Sequence, residues 1–368
     1  MITFSNKIIT SSTGKWLLPN RLFSISYGTS VNGTVTGPSH AHMNDTVTLT
    51  AVGSTGYILD YITVDNVAIS GNTFVMPYSD VTVRAYFKSK YNPLNLPANT
   101  VRVRTNDGNV PYKSLGSFAE YETATLVPGT SNVYDVYKSG TSFWHLMDGC
   151  NNVTEVIGAN TAGITDMQFM FYQCSALASV PMFDTTGVTS MDSMFFECSS
   201  LTTVPSFDTP NVTDTSDMFY YCTALTTVPL FDTSSVTTMH SMFHGCSALA
   251  SVPLFDTSRV ADMNSMLYYC SSLNTVQLFN TSSATDMANM LYGCSSLTSI
   301  PLFNTSSSPN MSYMCQDCVN VTSGALALYQ QASTHVTTSS KHVETFRNCG
   351  SNTTAGAAEL AQIPDGWK

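Results

Sequence analysis

Residues 218–246 read MFYYCTALTTVPLFDTSSVTTMHSMFHGC and contain one complete unit of the pattern that decides the fold. The two cysteines in this stretch, Cys222 and Cys246, belong to a series in which neighbouring members are 24 residues apart. The series consists of Cys150, Cys174, Cys198, Cys222, Cys246, Cys270, Cys294 and Cys318. A fixed period of this size is typical of stacked repeat architectures. The sequence therefore predicts a repeat array over residues 141–323.

Apolar residues around each cysteine follow a helical spacing. Methionines recur four and seven residues before the cysteines, and Phe or Leu recurs three residues before them. This 0, 3, 4, 7 spacing predicts a helix of about three turns in each repeat. After the cysteine, LTTVPLF at residues 225–231 predicts a short strand. We therefore expect an α/β repeat solenoid of the leucine-rich-repeat type, with a short strand, a turn and a helix in each repeat.

A turn with the pattern F-[D/N]-T follows each predicted strand. Its acidic or amide positions are Asp184, Asp208, Asp232, Asp256, Asn280 and Asn304, and each is followed by Thr. Such side chains hydrogen-bond to nearby backbone groups in turns, which predicts a stacked ladder of these residues. A row of aspartates is also compatible with calcium. The two asparagines argue that an acceptor is required rather than a charge.

The pattern MF-x-x-C-[ST]-[AS]-L-x-x-V-P-x-F-D-T-S-x-V-x-x-M resembles the BspA-like leucine-rich repeat family of surface proteins over residues 141–323. Members of that family are mostly non-enzymatic proteins of bacterial or phage surfaces that are implicated in adhesion. The resemblance therefore implies a surface protein and supplies no catalytic residues. We expect a phage-encoded member.

The segments that flank the repeats are predicted to differ from them. Residues 23–88 alternate as strands do and predict a small β-rich domain. The ending MPYSDVTVRAYF at residues 76–87 resembles the divergent internalin-B-type repeat, which implies a stalk or spacer module. The predicted remaining segments are an N-terminal lead or attachment segment at 1–22, a linker and N-terminal cap of the repeats at 89–140, and a C-terminal cap at 324–368.

Charge is distributed unevenly along the chain. The formal net charge is -11, and residues 141–340 carry 14 acidic groups with Arg259 as their only Lys or Arg. Such a surface repels phosphate, which excludes nucleic acid as a partner. No run reaches the roughly 18 apolar residues that a membrane span needs, so membrane insertion is not expected. The N-terminal residues lack the pattern of a secretory signal peptide.

The cysteines and histidines raise the question of disulfides and metals. We expect buried, reduced thiols that act as small hydrophobic residues, since packed helices would hold equivalent positions about 9–10 Å apart, beyond disulfide reach. A disulfide staple or a metal array is the alternative. Cys315 and Cys318 form a C-x-x-C without a second pair, and His240 and His244 lie four residues apart. We predict no metal site and no cofactor.

Aromatic residues supply the predicted contact surface. They occupy the position two residues before the cysteine or directly precede it: Tyr172, Phe196, Tyr220, Tyr221, His244, Tyr268, Tyr269 and Tyr292. Stacked repeats would align them into a stripe, and exposed rings offer rigid contact area at low entropic cost. The alternative is that each ring lies flat over the next repeat. A second face, on the strand side, is rich in Thr and Pro and is expected to lack large anchors.

No nucleophile with a base and no phosphate-binding glycine loop is present, so we do not expect an enzyme. The first hypothesis is a virion-associated adhesion or receptor-binding protein, located at the virion surface. Its repeats would contact a host-cell surface protein or glycan, and its N-terminal region would contact other virion proteins. A structural virion decoration and an adhesin of the bacterial cell surface are the alternatives. Homo-oligomerisation stays open.

Overall fold

The computed structural model describes eight stretches of the chain: residues 9–10, 16–17, 22–30, 33–54, 57–89, 94–111, 119–307 and 309–368. Two compact units are distinguished, Met1–Pro93 and Leu94–Lys368. Most of the predicted lead segment at 1–22 lies outside the described residues, as do residues 90–93 of the predicted linker.

The first unit is built from short strands. In its described residues these are β1 (Ile9–Thr10), β2 (Trp16–Leu17), β3 (Leu22–Tyr27), β4 (Gly33–Thr36), β5 (His40–His42), β6 (Thr46–Thr48), β7 (Thr50–Gly53), β8 (Tyr57–Val64), β9 (Val67–Ile69), β10 (Thr73–Val75) and β11 (Val81–Ser89). The main sheet has the order β5-β3-β11-β8-β9, in which only β3 and β11 are parallel. The remaining pairs are β1-β2, β6-β10 and β4-β7.

The sequence pattern of this unit explains its core. Alternate side chains of a strand point to opposite faces, and so Val81, Val83 and Ala85 of β11 are buried. Asp65 and Asn66 connect β8 to β9 with φ angles of 49° and 68°. Two consecutive positive φ angles are those of a tight hairpin turn, so β8 and β9 form a hairpin.

A four-stranded antiparallel sheet begins the second unit. Its strands are β12 (Thr100–Thr105), β13 (Thr123–Leu126), β14 (Val133–Tyr137) and β15 (Val153–Asn160). They lie in the order β13-β14-β12-β15. Val101, Val103 and Val136 are buried in the same core as the repeats. The sheet therefore shares its core with the repeats, and its strand β15 lies within the residues predicted as repeats.

The repeat region contradicts the predicted α/β repeat solenoid. Within the described part of residues 161–324 there is no helix and no continuous strand, and the strands of the chain belong to small sheets that precede this region. Consecutive turns replace the predicted helix. The predicted strand at residues 225–231 is irregular chain. Equivalent residues of successive repeats are joined by isolated parallel bridges, such as that between Thr238 and Asp262.

Left-handed residues explain why the helix does not form. The positions five and one before each cysteine have positive φ in every repeat, for example 55° at Ser193, 54° at Glu197, 51° at Ser241 and 72° at Gly245. A right-handed α-helix excludes a left-handed residue at every fourth position. The spacing of the apolar side chains suits this series of turns as well as it suits a helix, which is why the sequence prediction was wrong.

Successive backbone N–H groups donate alternately to a carbonyl of the next repeat and to a carbonyl of their own repeat. The N–H groups of Phe195 and Glu197 donate to the carbonyls of Met218 and Tyr220, 23 residues further on, at 3.0 and 2.6 Å. The intervening N–H of Phe196 donates to the carbonyl three residues back, at 3.2 Å. This alternation satisfies buried polar backbone without helix or sheet. We refer to the stacked repeats as the turn ladder.

Phenylalanine rings and cysteine thiols fill the interior of the turn ladder. Two series of stacked rings run through it, with centroids of neighbours 5.5–6.1 Å apart: Phe171, Phe195, Phe219 and Phe243, and Phe183, Phe207, Phe231 and Phe255. All ten cysteines are buried, and none of them is in a disulfide. The predicted distance of 9–10 Å between equivalent positions of adjacent repeats is wrong, because the described residues of the repeats contain no packed helices. Ring centroids at equivalent surface positions of adjacent repeats are 4.4–4.8 Å apart.

The thiols take part in the hydrogen bonding. From Cys174 to Cys318, the Sγ of each cysteine in the 24-residue series donates to the carbonyl 27 residues earlier, at 3.0–3.2 Å. Burial raises the pKa of these thiols, to about 12 for Cys318. The cysteine series is thus a row of neutral, hydrogen-bonded side chains rather than a row of purely apolar ones.

Two helices, α1 (Ala325–Ala332) and α2 (Thr354–Leu360), follow the last repeat. Phe346, Cys349 and Trp367 extend the buried core beyond the last repeat. Neither helix has the length or the apolar content to cross a bilayer, and no other described segment is such a helix.

Candidate recognition surface

Six half-buried rings stack on the surface of the turn ladder, and we name them the aromatic column. They occupy the position two residues before the cysteine: Tyr172, Phe196, Tyr220, His244, Tyr268 and Tyr292. Neighbouring centroids are 4.4–4.8 Å apart and the interplanar angles are 4–25°. Each ring therefore packs on the ring of the next repeat and still keeps part of its surface in solvent.

Burial shifts the pKa values of titratable side chains in the aromatic column. It raises the pKa of Tyr292 to about 12, and the nearby Tyr269 and Asp317 add to this effect. Burial lowers the pKa of His244 to about 4, and the neighbouring His240 contributes in the same direction. The column is consequently uncharged at neutral pH.

Tyr221 and Tyr269 lie beside the column and are more exposed than its members, at 41% and 45%. We name them the tyrosine pair. Each ring lies against the glycine of the next repeat, since a Cβ added to Gly245 or Gly293 would come within 3.0 or 2.6 Å of the ring. Both glycines have positive φ. A side chain at either glycine would displace the ring that now presents its surface to solvent.

An open groove separates Tyr221 from Glu197, and we name it the Glu197 groove. Ser175, Ser199 and Thr223 complete its lining. The hydroxyls of Ser199 and Thr223 donate to the backbone carbonyls of residues 175 and 199, at 3.4 and 3.5 Å. The lone pairs of these hydroxyl oxygens remain available to a ligand.

Glu197 is held in place at the wall of the groove. Its Oε2 accepts a hydrogen bond of 3.0 Å from Nε2 of Gln173, in the preceding repeat. Among the described residues, Oε1 accepts no hydrogen bond from the protein. The carboxylate thus has one oxygen that can accept a hydrogen bond from a ligand.

Partly buried carboxylates also occur in the repeats. Burial raises the pKa of Asp192 to about 6, and the nearby Asp214, Asp217 and Asp166 add to the shift, whereas a hydrogen bond from Ser193 opposes it. These groups reinforce the negative potential of the repeat region.

The histidine pair considered for a metal is engaged in separate contacts. His240 Nδ1 lies 3.7 Å from Asp262 Oδ2, whereas His244 belongs to the aromatic column. Cys315 and Cys318 are both buried. Within the described part of the chain, no group of three or more His, Cys, Asp or Glu side chains has the arrangement of a metal site.

The ladder predicted at the F-[D/N]-T turns is confirmed. The buried Thr233 donates through Oγ1 to the carbonyl of Asp256 at 2.9 Å, and Thr257 donates likewise to Asn280. The side chain of Asp256 accepts from the N–H of Ser258 at 3.0 Å. Asn280 makes the equivalent bond to residue 282, so the turn needs an acceptor oxygen and not a charge.

The strand-side face holds large apolar side chains that were not predicted there. Leu230, Leu254, Leu278 and Leu302 are 51–60% exposed and recur every 24 residues. The expectation that this face lacks large anchors is wrong. One residue in the sequence indicated that these leucines are exposed. Ser206 occupies the equivalent position in an earlier repeat, and polar residues such as serine are mostly found where a position faces solvent.

A ladder of short, stacked repeats defines a repeat-type protein. Residues 141–250 and 226–328 match the family model described as "Mycoplasma protein of unknown function, DUF285". The matches together span just over half of the chain, and the chain belongs to this family, which is of the BspA-like repeat type.

Residues 23–91 match the divergent InlB B-repeat domain. Both resemblances found in the sequence are therefore confirmed at the level of the family. No curated protein and no solved structure matches the chain significantly. Repeat families of this kind are usually surface-exposed, which is compatible with a location at the cell surface and suggests an adhesin-like role.

Proposed function

We propose that the protein is a non-enzymatic, surface-displayed binding protein whose turn ladder contacts a molecule on another cell. The observation that carries the proposal is the tyrosine pair, two exposed rings placed on a rigid ladder beside a continuous aromatic column. Aromatic side chains with few rotatable bonds are enriched in binding surfaces for this reason. The small β domain serves as a spacer or attachment module.

The structure to which the protein is attached is proposed to be a virion. Ten buried cysteines outside any disulfide suit a protein that folds in a reducing cytosol, where virions assemble, better than one that folds in an oxidising compartment. A display site on the bacterial cell surface is the competing proposal. Mass spectrometry of purified virions and of washed cell envelopes from the producing culture separates the two.

Binding of the labelled full-length protein to a panel of cells tests the proposal. Saturable binding is expected, and a variant with Tyr221→Ala and Tyr269→Ala should lose most of it. Tyr313→Ala is the matched control, because Tyr313 is also an exposed tyrosine with positive φ but lies apart from the pair in the repeat pattern. Saturable binding that survives the double variant contradicts this surface assignment. Absence of binding across the panel favours a purely structural decoration.

A further inference from the structure

We propose that the Glu197 groove is a subsite for a cationic side chain, the ammonium of lysine or the guanidinium of arginine, presented by a basic polypeptide partner. This inference rests on the proposed binding function and specifies the chemistry of the partner. It selects protein over glycan among the partners expected from the sequence.

The lining of the groove is composed of acceptors and one aromatic wall. Glu197 offers a free carboxylate oxygen, and the hydroxyls of Ser199 and Thr223 already use their protons in bonds to backbone carbonyls. A ligand that supplies donors therefore fits this lining. Lysine and arginine are donors only, and they form their strongest hydrogen bonds with carboxylates.

The aromatic wall favours the same ligand. Tyr221 is 41% exposed and borders the groove together with the carboxylate. A cation that lies within about 6 Å of a ring centroid is attracted by the negative face of the ring. One groove thus combines an ion-pair partner with a cation–π partner.

The charge of the surrounding region distinguishes a basic partner from a neutral or acidic one. Residues 141–340 carry 14 acidic groups and one basic group, Arg259. Arg259 belongs to the repeat that ends at Cys270, two repeats after the one that contains Tyr221. It does not occupy the position equivalent to Tyr221 in that repeat. Such a field accelerates the approach of basic surfaces and repels acidic glycans.

The test measures binding of a fluorescent Arg-Gly repeat peptide, and of its Lys-Gly and Gln-Gly counterparts, to the full-length protein at low and at physiological salt. We expect Tyr221→Ala and Glu197→Gln each to weaken binding of the basic peptides by about 3-fold or more. Added salt should weaken binding further, and the Gln-Gly peptide should not bind.

Two control variants separate a built site from general attraction. Asp256→Asn removes one negative charge at a turn position where the next repeat naturally carries Asn280. Tyr313→Ala removes an exposed tyrosine elsewhere. Both should bind the peptides as the wild type does, and the melting temperature of every variant shows that it is folded.

Equal weakening by Glu197→Gln and Asp256→Asn overturns the proposal, since the attraction is then nonspecific. Salt-independent binding of a neutral chito-oligosaccharide that is lost in Tyr221→Ala, without an effect on the peptides, also overturns it in favour of a sugar site. If cells bind through the tyrosine pair but Glu197→Gln has no effect on peptide or cell binding, the proposed function stands and this inference fails. Site-specific peptide binding without cell binding supports the subsite and contradicts the proposed function.

Discussion

Cys222 illustrates how a single side chain joins two repeats. Its buried Sγ donates to the carbonyl of Phe195 at 3.0 Å. We expect Cys222→Ser, which keeps a donor, to retain more stability than Cys222→Ala, which loses the donor and leaves a small cavity. The loss for the alanine variant should be about 1–2 kcal/mol, measured by urea denaturation under reducing conditions.

The opposite order would identify the thiol as a purely hydrophobic residue. In that case the buried hydroxyl of serine costs more than the methyl group of alanine. The same pair of substitutions at Cys246 serves as a replicate, because its Sγ donates in the same way to the carbonyl of Phe219 at 3.1 Å.

His244 makes the aromatic column sensitive to acid. Its pKa is lowered from 6.5 to about 4 in the folded protein, so the unfolded chain binds more protons between these values and folding stability falls as the pH decreases through this window. His244→Phe places in the column the residue that Phe196 already provides there. We expect the free energy of unfolding of this variant, relative to wild type, to be about 1 kcal/mol higher at pH 5 than at pH 7.5. Denaturant midpoints at the two pH values measure this.

His240 provides a control in which folding stability depends on pH in the opposite direction. The contact with Asp262 raises the pKa of His240, so its stabilisation is present at low pH and is lost as the pH rises through the raised pKa. His240→Asn, which copies Asn264 of the next repeat, should therefore lower stability more at pH 5 than at pH 7.5. Equal pH profiles for wild type and His244→Phe would contradict the assignment of His244.

At the scale of one repeat, adjacent apolar residues have opposite environments. Leu254 is 57% exposed, whereas Phe255 is buried within a series of stacked rings. We expect Leu254→Ser to change the free energy of unfolding by about 0.5 kcal/mol or less, and Phe255→Ala to lower it by about 3–5 kcal/mol. Similar losses for both variants would show that Leu254 faces the core.

The repeat also shows how far sequence reasoning extends. The cysteine spacing predicted the period, and the F-[D/N]-T motif predicted the turn with its hydrogen-bonded Thr. The helix was wrong because the signal for left-handed backbone is weak: those positions hold residues as different as Ser193, Glu197 and Tyr221. Only Gly149, Gly245 and Gly293, each directly before a cysteine, pointed to positive φ.

At the scale of the whole molecule, the charge balance and the family resemblances predicted more than the helical spacing of apolar residues did. The acidic balance of residues 141–340 indicated the character of the surface, and the two family resemblances indicated its class. The Glu197 groove was not predicted, because it depends on Ser175, Glu197 and Thr223 from three successive repeats, and only the stacking of turns brings them together.

All of these surfaces depend on the left-handed positions, and Ser241, with φ of 51°, tests them most directly. The measurement is the free energy of unfolding of Ser241→Gly against wild type. The turn ladder predicts no loss, and a gain of up to about 1 kcal/mol, because glycine adopts positive φ without steric cost. A loss of about 0.5–1 kcal/mol, the ordinary cost of glycine inside a helix, would contradict the turn ladder and every surface built on it.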